Sequence, residues 1–160
     1  MILVTVGTHY MDFSRFLKRV DEIAPFVKEE IVVQRGHTKY IPKNCKSFDF
    51  VPSLDPYYKK ASLVVMHGGS SVWEFMYESD KPIIIVPRQA KYKEHVNDHQ
   101  VDFAEYMDKE LGVKTVYEMS ELTPELLNSY KKKIKLKPKN LNSLKSFLKK
   151  EINVALNKKN

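Results

Sequence analysis

The most reactive residue types in the shortest span are His67-Gly68-Gly69-Ser70-Ser71. They follow Ser62 to Met66, a nearly continuous apolar run with the composition of a strand buried on both faces. Val72, Phe75 and Met76 come next, spaced to share one helix face. Strand, small-residue loop and helix start turn backbone N–H groups toward an anion at the positive end of the helix. A phosphate-bearing ligand is the expectation. A structural reading stands beside it. Ser71-Val72-Trp73-Glu74 spells a capping box, with Ser71 as cap and Glu74 reaching back to the cap's own N–H, while Gly68-Gly69 serves as a tight turn.

A second polar cluster runs from Pro87 through Arg88, Glu94, His95, Asn97, Asp98 and His99 to Gln100. It is long for a strand-to-helix connection, and loops of that length are commonly functional. Asn97, Asp98, His99 and Gln100 crowd a helix start and suit a polyhydroxyl ligand, since a sugar offers paired donors and acceptors. Asn97 or Asp98 also serves as a helix cap, and the two uses are compatible.

These residues need a scaffold, and the pattern supplies one. Ile2–Val6, Ile31–Gln34, Ser47–Val51, Ser62–Met66, Pro82–Val86 and Val113–Val116 read as six strands. Phe13, Phe16, Leu17, Val20 and Ile23 recur at helical spacing after Asp12, a plausible cap. Asp55-Pro56 and Thr123-Pro124 each mark a cap and first-turn proline. Val101, Ala104, Tyr106 and Met107 suggest a further helix, and Leu141, Leu144, Leu148, Ile152 and Ala155 a last amphipathic one. Strands alternating with helices predict an α/β fold with a doubly wound, mainly parallel, Rossmann-like sheet. Ligands in such sheets bind beyond the carboxyl ends of the strands. That rule brings Gly7-Thr8-His9, Gln34-Arg35-Gly36, the His67–Ser71 loop and the loop after Pro87 to one rim.

Composition excludes several alternatives. The 160 residues fit one domain with no linker or repeat. One cysteine, Cys45, rules out an internal disulfide framework and agrees with a reducing compartment. No apolar run is long enough to span a bilayer, and Met1–Val6 is too short for a signal peptide, so a cytoplasmic protein is expected. The net charge of +7 is concentrated at one end. Residues 130–160 hold eleven lysines against Glu151 alone, leaving −3 for the first 129 residues. The basic segment is either a solvated helical face or a patch for an anionic surface, and a nucleic-acid-binding domain is not expected. A nicotinamide-dinucleotide reading fails because no Gly-x-Gly-x-x-Gly follows the first strand.

Three motifs together resemble a known family: Gly68-x-x-Ser71-x-x-Glu74, Lys81-Pro82-x-Ile84-x-Val86-Pro87-Arg88, and Glu94-His95-x-Asn97-Asp98-His99-Gln100. They are similar to the donor-binding C-terminal half of family 28 glycosyltransferases of the GT-B fold. Val4-Thr5-Val6-Gly7-Thr8-His9 narrows the resemblance to small catalytic subunits of two-component glycosyltransferases, including those of the dolichol pathway and exopolysaccharide synthesis. The similarity covers roughly Met1 to Glu110. One departure is that relatives commonly place the histidine two residues before the glycine, whereas His67 immediately precedes Gly68.

The resemblance implies a single donor-binding domain over residues 1–160, with a lysine-rich helical segment at 130–160. It also implies an inverting hexosyltransferase that uses a uridine diphosphate (UDP) sugar, UDP-N-acetylglucosamine first among them. Gly7, Thr8, His67, Gly68, Gly69, Ser70, Ser71 and Arg88 are then expected at the donor diphosphate. Glu74 is expected at the ribose, and Asn97, Asp98, His99 and Gln100 at the sugar. Without an Asp-x-Asp pair no metal or other cofactor is expected, and leaving-group charge falls to backbone N–H groups, the helix dipole, Arg88 or His9. His9 is the candidate general base, with His95 and His99 also near the rim, although the base could equally sit on a partner. The implied partner is a membrane-associated acceptor-binding subunit that presents a lipid-linked saccharide, which would hold the chain peripherally at the cytoplasmic face. The alternative is a non-catalytic, stimulatory or nucleotide-sugar-binding subunit.

Overall fold

The computed structural model describes residues 1–134 and Ser146. The predicted helix from Leu141 to Ala155 lies outside the described residues. Six strands form one wholly parallel sheet: β1 (Ile2–Thr5), β2 (Ile31–Gln34), β3 (Lys46–Phe48), β4 (Leu63–His67), β5 (Ile83–Val86) and β6 (Lys114–Thr115). Their order is β3-β2-β1-β4-β5-β6, so the winding reverses between β1 and β4. Ile2 lies opposite both Ile31 and Leu63, and His67 opposite Val86. This is a doubly wound Rossmann-like sheet, as the alternating pattern predicts.

The four central strands, β2, β1, β4 and β5, are buried along their whole length and almost wholly apolar because both faces are covered. Ile2, Val4, Val33, Val65, Ile84 and Val86 pack with Phe13, Phe16, Leu17 and Val20 on one side. Leu3, Val64, Met66, Ile83 and Ile85 pack with Val72, Phe75, Phe103, Ala104 and Met107 on the other. The alternation along β1 is the period of two that a pleated strand imposes.

The helices are α1 (Ser14–Ile23), α2 (Asp55–Lys60), α3 (Ser71–Glu78), α4 (His99–Leu111) and α5 (Pro124–Ser129). Thr123 caps α5 by accepting from the Leu126 amide at 3.2 Å. Gly112, at φ +64°, closes α4 in the left-handed conformation that glycine adopts without a Cβ clash.

Four local expectations are corrected. The capping box at Ser71 does not form: Ser70 is the N-cap of α3 with no side-chain cap bond, and Ser71 is already helical. Asp12 stands one residue before the α1 cap, Phe13, and accepts from the Ser14 amide, the Ser14 hydroxyl and the Lys39 amide. Leu54, not Asp55, is the N-cap of α2. The third strand ends at Phe48 and does not reach Val51. Past that point the Gly36 amide takes the Asp49 carbonyl and Arg35 pairs with the Asp49 side chain at 2.5 Å, which draws the edge strand off its register.

Candidate functional site

At the β1/β4 reversal the two diverging connections leave a crevice of about 200 Å³. Gly7 and Thr8 after β1, His67 at the end of β4, and Ser70 and Ser71 beyond it form its polar side. Phe50, Val51, Leu54 and Tyr58 form an apolar wall opposite, with Thr5 and Gln34 also lining it. The N-terminus of the eight-residue helix α3 opens onto this space.

Close packing fixes the polar side. His67 is buried, and its imidazole lies between two glycines. A Cβ on Gly7 would come within 2.4 Å of the His67 ring, and one on Gly69 within 2.3 Å. Gly7 also sits at φ +75°, where a side chain is disfavoured. Gln34 clamps it from behind, accepting from the Gly7 amide at 3.1 Å and donating to the Gly7 carbonyl at 3.1 Å. A Cβ on Gly68 would meet the Gln100 carbonyl at 3.0 Å, so this glycine lets α4 approach the loop. Both orphaned polar atoms here belong to the crevice lining: Ser71 Oγ and His67 Nδ1 are buried with no hydrogen-bond partner among the described residues. Burial, and next the Arg88 guanidinium, push His67 down to about 4, so the ring is neutral at physiological pH.

Beside the crevice three imidazoles gather. His9 and His95 have ring centres 4.3 Å apart, and His95 meets His99 edge-on at 4.4 Å. Burial and its neighbours His99, His9 and Arg88 push His95 down to about 4. Burial, Arg88 and His99 likewise lower His9. The Met11 amide donates to His9 Nδ1 at 3.2 Å, so the neutral His9 ring carries its proton on Nε2 and offers a donor at that atom. Among the described residues no group of three His, Cys, Asp or Glu side chains is arranged to hold a metal ion.

The residues expected at a ligand therefore fall into three places. Gly7, Thr8, His67, Ser70 and Ser71 line one crevice, with Gly68 and Gly69 shaping it from the same loop. Glu74 is exposed on the first turn of α3, outside the lining but close enough that its carboxylate, after burial, helps push the Tyr58 hydroxyl up to about 12. Asn97, Asp98 and His99 stand exposed at the start of α4. Asn97 Oδ1 contacts the His99 ring, and Asp98 Oδ1 accepts from the Ala90 amide at 2.8 Å.

Two residues are spent elsewhere. Arg88 is not among the residues that line the crevice. It is fully buried, with Nη1 donating to the Met11 and Glu94 carbonyls and Nη2 to the Val6 carbonyl, while its guanidinium covers the Phe13 ring at 4.6 Å. Gln100 is also buried, its Oε1 accepting from the Arg88 amide at 3.1 Å. Sequence reasoning missed the apolar wall and Gln34's clamp. The Ser47–Val51 run reads as a strand instead, and nothing local marks a chain that leaves its sheet to line a crevice.

A parallel sheet reversing at β1/β4, with a glycine-serine loop opening onto a helix N-terminus, is the architecture of a Rossmann-like domain. The family model of the glycosyltransferase family 28 C-terminal domain matches residues 1–158, and the chain belongs to this family. Three solved structures share the fold. A glycotransferase of kitacinnamycin is 21% identical with a TM-score of 0.55, over 81% of this chain and 33% of that one. The glycosyltransferase SnogD from Streptomyces nogalater is 19% identical with a TM-score of 0.56, over 80% and 34%. MurG from Acinetobacter baumannii is 19% identical with a TM-score of 0.52, over 78% and 38%. The chain thus spans about a third of the length of each. No curated protein sequence matches it. No helix among the described residues is long and apolar enough to cross a membrane.

Proposed function

We propose that the chain is the donor-binding, catalytic subunit of a UDP-sugar-dependent hexosyltransferase, with UDP-N-acetylglucosamine as donor. The observation that carries this reading is the crevice itself. An apolar wall fits a nucleoside, and the opposite side offers a helix N-terminus, Thr8, Ser70 and the orphaned Ser71 hydroxyl to a diphosphate. Glu74 on the next turn is the ribose partner, because a carboxylate accepts two hydrogen bonds from a vicinal diol. The sugar then lies toward His9, His95 and the start of α4, with Asn97, Asp98 and His99 on that side. Leaving-group charge is met by the α3 dipole, the loop N–H groups and His9 Nε2–H, with no metal ion in the proposed mechanism. With His9 acting as a donor, the general base of an inverting transfer is assigned to the acceptor side.

The match of residues 1–158 to the C-terminal domain of the family supports a donor-binding half. In this reading a membrane-associated subunit binds a lipid-linked saccharide acceptor and closes over the crevice. A thermal-shift screen of nucleotide sugars without divalent cation is the direct test. UDP-N-acetylglucosamine should raise the melting temperature more than ADP- or GDP-sugars. A preference for a purine nucleotide, or no response to any, would contradict the reading.

A further inference from the structure

The β5–α4 loop contains the one non-glycine residue with positive φ among the described residues, Lys93 at +57°. An L-residue is held there only when its surroundings over-determine it. Here they do. After the turn at Ala90–Tyr92, the Lys93 amide donates to the Ala90 carbonyl at 2.9 Å and the Glu94 amide to the Gln89 carbonyl at 3.3 Å. The reversal sends the Glu94 side chain inward, where it is buried.

One guanidinium meets this side chain and a second meets the Glu94 backbone. Arg15 grips the carboxylate with both prongs, Nε to Oε1 at 2.8 Å and Nη2 to Oε2 at 2.9 Å, and Oε2 also accepts from the Gln89 amide. Arg88 takes the Glu94 carbonyl at 3.2 Å and reaches on to Val6 and Met11, the segment that contains His9. The residue after Glu94 is His95, whose ring packs on His9. Both sides of the His9–His95 contact are therefore held by one buried assembly.

We propose that Glu94 is a positioning residue: held by Arg15 and Arg88, it fixes the β5–α4 loop so that His95 is kept against His9 at the rim of the crevice. A buried ion pair is a poor device for stability alone, because apolar side chains of the same volume do as well. Its advantage is directional, since a bidentate pair sets distance and orientation together. Arg88 also bears on the chemistry, because its charge helps hold His9, His67 and His95 neutral. The sugar-binding part of the inference rests on the proposed nucleotide-sugar function; the geometric part does not.

The test uses Glu94→Gln and Arg15→Lys in the full chain, with folding checked by circular dichroism. Imidazole signals of His9 and His95 are followed by NMR, and UDP and UDP-N-acetylglucosamine binding by calorimetry. In folded Glu94→Gln both imidazole signals should move. The preference for the UDP-sugar over UDP should fall about tenfold while UDP affinity stays within about twofold. Arg15→Lys keeps the charge but loses the fork, and should give a smaller change of the same kind. It carries the test if Glu94→Gln does not fold. Unmoved imidazole signals, or equal losses for UDP and UDP-sugar, would overturn the inference. If the wild-type chain binds neither nucleotide, the proposed function fails while the imidazole signals still decide the clamp.

Discussion

His67 concentrates the physical argument at the scale of single residues. It ends a central strand, it is buried between Gly7 and Gly69, and its Nδ1 has no partner among the described residues. Burial disfavours the charged ring and protonation would also place a charge beside Arg88, and together these push its pKa down from 6.5 to about 4. The unfolded chain therefore binds more protons than the folded one between those values. Stability is full above about pH 6.5 and declines as the pH falls toward 4, by an amount on the order of a few kcal/mol. Melting curves of the wild-type chain should show this slope, and His67→Gln should flatten it. An unchanged slope in the variant would assign the acid lability to other groups. The position of the loop around His67 was legible in the sequence because small residues separate an apolar run from a helical pattern there. Arg88 was not. A charged residue at a strand end reads as a ligand contact, and its burial depends on the Val6 and Met11 carbonyls far away in sequence.

At the scale of elements, apolar runs and periodicity located all six strands, most sharply the four central ones, since strands buried on both faces need continuous hydrophobic residues. What failed was the ends. The edge strand β3 stops at Phe48 because Arg35 and Gly36 take over the Asp49 side chain and carbonyl, and α3 starts without its expected cap. Such outcomes turn on partners distant in the chain, which no local pattern encodes. One such partner is Asp21 of α1. It is buried and accepts from the Tyr40 hydroxyl at 2.7 Å and from the Lys43 and Asn44 amides at 2.9 and 2.6 Å, tying the β2–β3 loop to the helix. Asp21→Ala strands three donors and should destabilise the fold by about 2–4 kcal/mol in denaturant titrations. A loss under about 1 kcal/mol would mean that water replaces the carboxylate.

At the scale of the whole molecule, the proposed donor site is the crevice at the sheet's reversal point, where a doubly wound sheet offers its binding cleft. The lysines of residues 135–160 fall outside the described residues, so their proposed attraction to an anionic membrane surface stands on the sequence alone. Near such a surface each lysine adds up to about 1 kcal/mol. Binding to anionic vesicles should therefore weaken with salt and disappear when Lys145, Lys149, Lys150, Lys158 and Lys159 become glutamine; indifference to vesicles at low salt would leave a solvated face. The half-enzyme reading likewise predicts that the isolated chain binds donor yet transfers sugar efficiently only with an acceptor-binding membrane subunit. Robust transfer by the purified chain would refute it. The most direct test of the central claim is calorimetric titration of the full chain with UDP-N-acetylglucosamine in the presence of a chelator, repeated on Ser71→Ala and Glu74→Ala. Saturable binding without cation is predicted, weakened in each variant by about 1–3 kcal/mol, or roughly 5- to 150-fold. Wild-type affinity in both variants, or no binding to begin with, would contradict the assignment of this crevice to a nucleotide sugar.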